Sequence, residues 1–214
     1  MHKPSIGLSL EGMPFIFLTT VATLTFAILD CWFMATLLLV VLFLVLNFFR
    51  DPERVVPQEP GVAVSPADGK VIKVETMRDP LTGEDRTAVC VFMNVFNVHV
   101  NRMPVAGRIA RISYFGGKFI NASFDKASED NERNSVLVED ADGKTWTVVQ
   151  IAGLIARRII CWAEEGDSLA RGQRFGLIKF GSRVDLYLPS DYESVVRIGE
   201  KVFAGQSILA RKKR

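Results

Sequence analysis

The stretch LIKFGSRVDLYLP, residues 177–189, has apolar residues on both sides of a bare Gly181-Ser182 pair. Glycine inside a strand commonly marks a bulge or bend. It also leaves the preceding carbonyl unhindered and permits a strained backbone. The Ser182 hydroxyl can then attack the Gly181 carbonyl and move the chain from amide to ester. Elimination of that ester leaves dehydroalanine, and hydrolysis leaves a pyruvoyl ketone able to form a Schiff base with an amine. An oxygen nucleophile of this kind needs an acid and a base. His99, in NVFNVHVNRMP, is the sole histidine outside the N-terminal tail, and Asp68 sits in SPADGK. Each has an ordinary reading as well, His99 as a satisfied structural residue and Asp68 as an Asp-Gly turn. The sequence holds no GxSxG elbow, Walker A loop or GxGxxG fingerprint, which turns the reading away from α/β hydrolases and nucleotide enzymes.

The elements that must position these groups fall into two regions. Of 26 basic and 24 acidic residues, only Lys3, Glu11 and Asp30 precede Phe49. Two apolar runs lie here, fifteen residues from Phe15 to Leu29 and nineteen from Cys31 to Phe49. A bilayer core needs about 20 apolar residues of helix, so the second run qualifies and the first is marginal. One helix through both would be about 50 Å long, too long for a simple span. The pattern predicts a membrane anchor over residues 1–54, with helical pieces within 15–49 that break near Asp30, as one span or a hairpin. No small-residue cleavage motif follows, which argues against a signal peptide. Arg50 and Arg54 follow at once, which places that end, and the domain after it, on the cytoplasmic side of the inner membrane.

From Arg50 onward the charge is +3, too mild to indicate nucleic acid. The basic C-terminus ARKKR suits a domain resting near an anionic membrane surface. Three cysteines without CxxC or Cys/His spacing predict reduced thiols and no metal site. Beyond Gly61, short Val- and Ile-rich runs alternate with turn signals, as in NSVLVEDADGKTWTVVQ, with Asp142-Gly143 as a hairpin turn. The fold class read here is mainly β (α+β): an N-terminal transmembrane helical segment, then a β domain over 55–214. GDSLARGQ at Gly166 and GEKVFAGQ at Gly199 share G-[DE]-x-[LV]-x-x-G-Q at an offset of 33 residues. This suggests two similar hairpin units in a barrel-sandwich arrangement like lipoyl and biotinyl carriers. Gly181-Ser182 falls between the copies, but no lysine stands there for a carrier's modification.

Six segments in order then resemble the short bacterial form of phosphatidylserine decarboxylase, the pyruvoyl-dependent proenzyme: FFRDPER (48–54), SPADGKV (65–71), NVFNVHVNRMPVAG (94–107), NERNSV (131–136), QIAGLIARRI (150–159) and KFGSRVD (179–185). The resemblance implies cleavage between Gly181 and Ser182 into a β chain, 1–181, and an α chain, 182–214, paired as a heterodimer or in a higher oligomer. It implies a covalent pyruvoyl cofactor derived from Ser182, a Schiff base with the lipid amine, and release of phosphatidylethanolamine and CO₂. His99 is the candidate acid for the protonation, and Asp68 matches the aspartate of self-processing. Longer relatives carry two histidines in the segment matching VHVNRMP, and Arg102 stands where the second would be. Either His99 serves both steps, or self-cleavage relies on Asp68 and backbone strain with another base. Arg102, Arg157 and Arg158 are candidates for the lipid phosphate or carboxylate. The competing readings are a non-catalytic membrane-anchored adaptor, and a pyruvoyl decarboxylase acting on archaetidylserine or on a soluble amino acid.

Overall fold

The computed structural model describes residues 7–117, 131–153, 158–179 and 181–213. Its contacts divide the chain into two units, Met1–Glu53 and Arg54–Arg214.

In the first unit a 3-10 turn, Leu10–Gly12, runs into α1, Met13–Ile28, and α2 spans Trp32–Phe48. The chain turns between them where Asp30 takes a φ of 53°, and the helices pack on each other. The threonines of α1 spend their hydroxyls on backbone carbonyls one turn back, for example Thr20 on Ile16 and Thr23 on Thr19. Helices with few polar groups left over suit a solvent that supplies no hydrogen bonds. The stretch Leu10–Ile28, 19 residues, is long and apolar enough to cross a membrane, whereas α2 has 17 residues. This reverses the ranking read from the sequence. The helical stretch starts upstream of Phe15, while Cys31 and Phe49 flank α2 as its caps. A Cβ on Gly12 would lie 2.4 Å from the Phe49 ring, so only glycine lets the start of α1 close on that ring.

The second unit is built of strands. They are β1 Val62–Val64, β2 Gly69–Arg78, β3 Asp85–Met93, β4 Val100–Arg102, β5 Gly107–Phe115, β6 Arg133–Glu139 and β7 Thr145–Ala152, then β8 Ile159–Cys161, β9 Ser168–Leu169, β10 Arg174–Ile178, β11 Ser182–Tyr187, β12 Tyr192–Ser194, β13 Lys201–Val202 and β14 Ile208–Lys212. An eight-stranded antiparallel sheet runs β13-β2-β3-β11-β7-β6-β5-β9, flanked by two three-stranded sheets, β1-β14-β12 and β4-β10-β8. The Asp140–Lys144 turn closes the β6–β7 hairpin.

This topology is internally duplicated. The two G-[DE]-x-[LV]-x-x-G-Q segments form β9 and β13, the opposite edges of the large sheet. Gly166 and Gly199 take φ of 95° and 94°, and Gly172 and Gly205 take 77° and 73°. Gly166 N donates to Ile109 O while Ile109 N donates to Asp167 O; Gly199 N, Val71 and Glu200 O repeat the arrangement. The sequence shows only the most similar piece of this repeat. β2–β3 and β5–β6 are its other matching parts, and β11 and β7 lie side by side at the centre.

One face of the large sheet carries the main core, including Val89, Val91, Met93, Val136, Trp146, Val148, Val184 and Leu186. The other face of its centre carries Ala88, Val149, Ile151 and Tyr187. The basic C-terminus is engaged within its own unit. Arg211 pairs with Glu59, Lys212 lies 3.9 Å from Asp142, and Lys213 Nζ donates to the Ser190 carbonyl.

Candidate active site

Ser182 is the first residue of β11, a central strand, and is fully buried. It stands opposite Met93 of β3 and Ala152 of β7. Ala152 N donates away from β11, to Glu132 O. Ser182 and Ala152 are therefore a non-hydrogen-bonded pair, and Ser182 exchanges both backbone bonds with Met93. The far side of β3 agrees. Val71 is bonded to Glu200 and Gly199, so Val91, opposite it, points its backbone toward β11, and Met93 does the same two residues on. The Met93 N–H is thus a fixed donor to the residue-182 carbonyl. The Ser182 hydroxyl lies 3.9 Å from the Met93 sulfur.

Gly181 takes a φ of 61°, where an L side chain is strained, and a Cβ built there meets nothing within 4 Å. Left-handed backbone here costs a non-glycine residue about 1–2 kcal/mol. The carbonyl that Ser182 would attack therefore sits in a bend that glycine alone takes readily, with open space where a Cβ would stand.

His99 is buried just before β4. Its backbone carbonyl accepts from Ile178 N at 3.3 Å, four residues upstream of Ser182. Its Nδ1 lies 2.9 Å from the Asn97 carbonyl. A carbonyl only accepts, so Nδ1 carries the proton and Nε2 is the basic nitrogen of the neutral ring. The β4–β10 pairing brings His99 and the Gly181-Ser182 bond to one end of the fold. Asp68 lies at the same end, across β3 from Ser182, with about 10 Å between the backbones at ordinary strand spacing. Its carboxylate accepts from Arg54 at 2.8 Å and from Ala204 N at 2.7 Å, both bonds toward the β13 side.

Arg102 is buried, and its guanidinium donates to the Gly172 carbonyl at 3.1 Å, against Gly205 of the second repeat. It ties the two repeats together. Arg158 is exposed, and its carbonyl accepts from Lys179 N, which places it beside the strand leading to Gly181. Arg157 lies outside the described residues.

Two groups of residues that the sequence did not single out complete the surroundings. On the Ser182 face, Asn134 Nδ2 donates to Gln150 Oε1 at 3.0 Å and Gln150 Nε2 donates to Asn101 Oδ1 at 2.8 Å. The direction of this chain leaves the Asn101 NH₂ turned to the Met93 sulfur at 3.9 Å, the same sulfur that touches Ser182. A thioether is a weak acceptor. A Cβ on Gly176 would lie 2.8 Å from Gln150 Nε2, so that glycine makes room for the amide chain. On the opposite face, Arg183 and Asp185 are fully buried and joined by two bonds of 2.6 Å, with Cys90 Sγ 3.4 Å from the guanidinium. Burial works against the Arg183 charge, but the carboxylate beside it turns the net shift upward. Burial, followed by the Asp185 charge, pushes the Cys90 and Tyr187 groups well above their ordinary values.

The family model for phosphatidylserine decarboxylase matches residues 41–210. The chain belongs to the phosphatidylserine decarboxylase family. It is 63% identical over 212 residues to a phosphatidylserine decarboxylase proenzyme of Nitratidesulfovibrio vulgaris, covering 99% of this chain and 98% of that one. It is 61% identical to the proenzyme of Oleidesulfovibrio alaskensis, covering 100% and 98%, and 49% identical to that of Burkholderia vietnamiensis, covering 98% of each. As a member of this decarboxylase family the chain is an enzyme, and the proenzyme names of its relatives fit a zymogen. The buried amide chain and the Arg183–Asp185 pair escape a sequence reading because Asn, Gln and an Arg-x-Asp step are ordinary in exposed strands. Only their burial makes them unusual.

Proposed function

We propose that the chain cuts itself between Gly181 and Ser182 and then converts phosphatidylserine to phosphatidylethanolamine and CO₂. The single observation that carries this is the pairing of a left-handed Gly181, open where a Cβ would stand, with a buried Ser182 at the start of a central strand. Ser182 Oγ attacks the Gly181 carbonyl carbon, the peptide C–N bond breaks, and the proton lost from Oγ ends on the freed amine, with His99 Nε2 as the relay. Removal of the residue-182 α-proton then expels the Gly181 carboxylate. Dehydroalanine remains, and water releases its nitrogen as ammonia and leaves the ketone.

The pyruvoyl group so formed supplies an electron sink for loss of CO₂. The chain's residues fit that task. The Met93 N–H donates to the residue-182 carbonyl, where negative charge gathers, and a fixed donor there stabilises the charge without reorganisation. The Asn101 amide, held by Gln150 and Asn134, adds a second donor on the same side. His99 gives and takes the proton, and Asp68 acts in self-processing from its place against Arg54. Arg158, with Arg157, suits the lipid phosphate, and Arg102, at the other end of β10 from Arg158, holds the repeats in register. The α and β chains stay together because β11 lies between β3 and β7, both from the β chain. The apolar first unit anchors the enzyme in the inner membrane with the β unit on the cytoplasmic side. The duplicated edge hairpins fit a barrel-sandwich relation.

Mass spectrometry of the purified protein tests this directly. Two chains are expected, the smaller beginning at residue 182 with a ketone in place of the amine. Ser182→Ala is expected to leave one inactive chain. An intact wild-type chain that still releases CO₂ from phosphatidylserine would sink the proposal.

A further inference from the structure

The two ends of the eight-stranded sheet differ in chemistry. At the end away from Ser182 lie the turns 79–84 and 140–144 and the segment 189–191. They present Glu84, Asp140, Asp142 and Asp191 at the surface, with Asp79 buried beneath them. Nearby bases are spent on them: Arg86 on Asp79 and Glu84, Lys144 on Asp191, and Lys212 on Asp142. Among the described residues no exposed large hydrophobic side chain falls in these segments.

The Ser182 end is the reverse. Val95 and Phe96 follow β3 just beyond Asn94, Tyr114 and Phe115 close β5, and Phe203 follows β13. These five are exposed, from 39% for Val95 to 64% for Phe96. The strand pairings place them together: Phe115 is opposite Arg133, Arg133 opposite Ile151, Ile151 opposite Arg183, and Val202 opposite Gly69. Single exposed apolar residues are ordinary, but five at one end and none at the other are a polarised surface. The loop carrying Phe96 is also held in shape. Asn94 Oδ1 accepts from Phe96 N, and Asn97 Oδ1 accepts from Asn94 N, both at 2.9 Å. Bases accompany the aromatics. The Arg133 guanidinium lies 4.0 Å from the Phe115 ring centroid, and Lys70 and Arg158 are exposed. The β unit begins here too, since Arg54 bonds Asp68 and Gln206.

We infer that this end of the sheet, through Val95, Phe96, Tyr114, Phe115 and Phe203, docks on an anionic bilayer surface. Aromatic side chains seat at the headgroup level, and long bases beside them reach anionic headgroups. The acidic end then faces away from the lipid. The inference rests on the reading that the substrate is a membrane lipid. It gives that reading a surface: the bilayer meets the protein where residue 182 lies, so a two-tailed substrate need not leave it fully.

The test places a tryptophan at Phe96, at Phe203 or, as a control at the acidic end, at Ala141, each in the full chain carrying Trp32→Phe. The proteins are reconstituted in phosphatidylcholine–phosphatidylglycerol vesicles, with or without phosphatidylcholine brominated near the headgroup. Phe96→Trp and Phe203→Trp are each expected to lose about half of their added emission to the bromines, as an indole at the interface should, and Ala141→Trp none. Equal quenching at all three sites, or none at Phe96 and Phe203, overturns the inference. The readout needs no turnover. A wrong substrate would show instead as intact quenching with no phosphatidylethanolamine formed when phosphatidylserine is added to the same vesicles.

Discussion

Replacing Arg183 by methionine leaves the Asp185 carboxylate fully buried without the guanidinium that now gives it two bonds of 2.6 Å. Breaking a buried pair from one side costs about 3–5 kcal/mol, because one charge stays behind uncompensated. Asp185 also lines a cavity of about 290 Å³ with Arg133, Tyr187 and Met77. Water entering there relieves part of the penalty and puts the expected loss near 3 kcal/mol. For a protein of this size that lowers the melting temperature by about 6–12 °C. Arg183→Met/Asp185→Leu removes both charges and fills similar volume, so it should recover most of the loss and melt within about 4 °C of the parent. The assay is thermal unfolding of the mature detergent-solubilised protein, followed by tryptophan fluorescence, to which the fully buried Trp146 contributes a fold-sensitive signal. If the double variant melts as low as the single one, the loss comes from packing around a long side chain, and the orphan-charge reasoning is refuted.

Two further expectations concern the other buried groups. Asn101→Asp keeps an acceptor for Gln150 but removes the donor turned toward Met93. Self-cleavage, timed by the appearance of two bands on a denaturing gel, should slow by at least about tenfold if this donor serves developing charge, and a rate within twofold of the parent would remove it from the site. Cys90 and Tyr187 both titrate above their ordinary values of 9.0 and 10.0. The fold therefore holds protons that the unfolded chain releases, so their stabilisation is complete below about pH 9 and is lost as pH rises beyond it, by up to ~1.4 kcal/mol per pH unit for each group. Urea midpoints measured from pH 8 to 11 should fall, less steeply in Cys90→Ala. A flat profile would contradict the burial of these groups.

The sequence by itself determined the class of the protein and singled out the Gly181-Ser182 pair. The apolar run to Phe49, the turn-punctuated Val and Ile runs, and the order of six segments around Gly181-Ser182 are local patterns, and local patterns are legible in one dimension. Tertiary structure decided what depends on strand pairing. His99 comes to the Gly181-Ser182 end through the β4–β10 register, and Asp68 meets Arg54 and the Ala204 N–H beside β13. The Met93 N–H becomes the donor to residue 182 only because β3 and β11 pair at that register, and a shift by one residue would point it at β2. Asn101, Gln150, Arg183 and Asp185 gain their meaning from burial, since a polar side chain held away from water must find a partner and stay with it. Their types and spacing alone carry no sign of that.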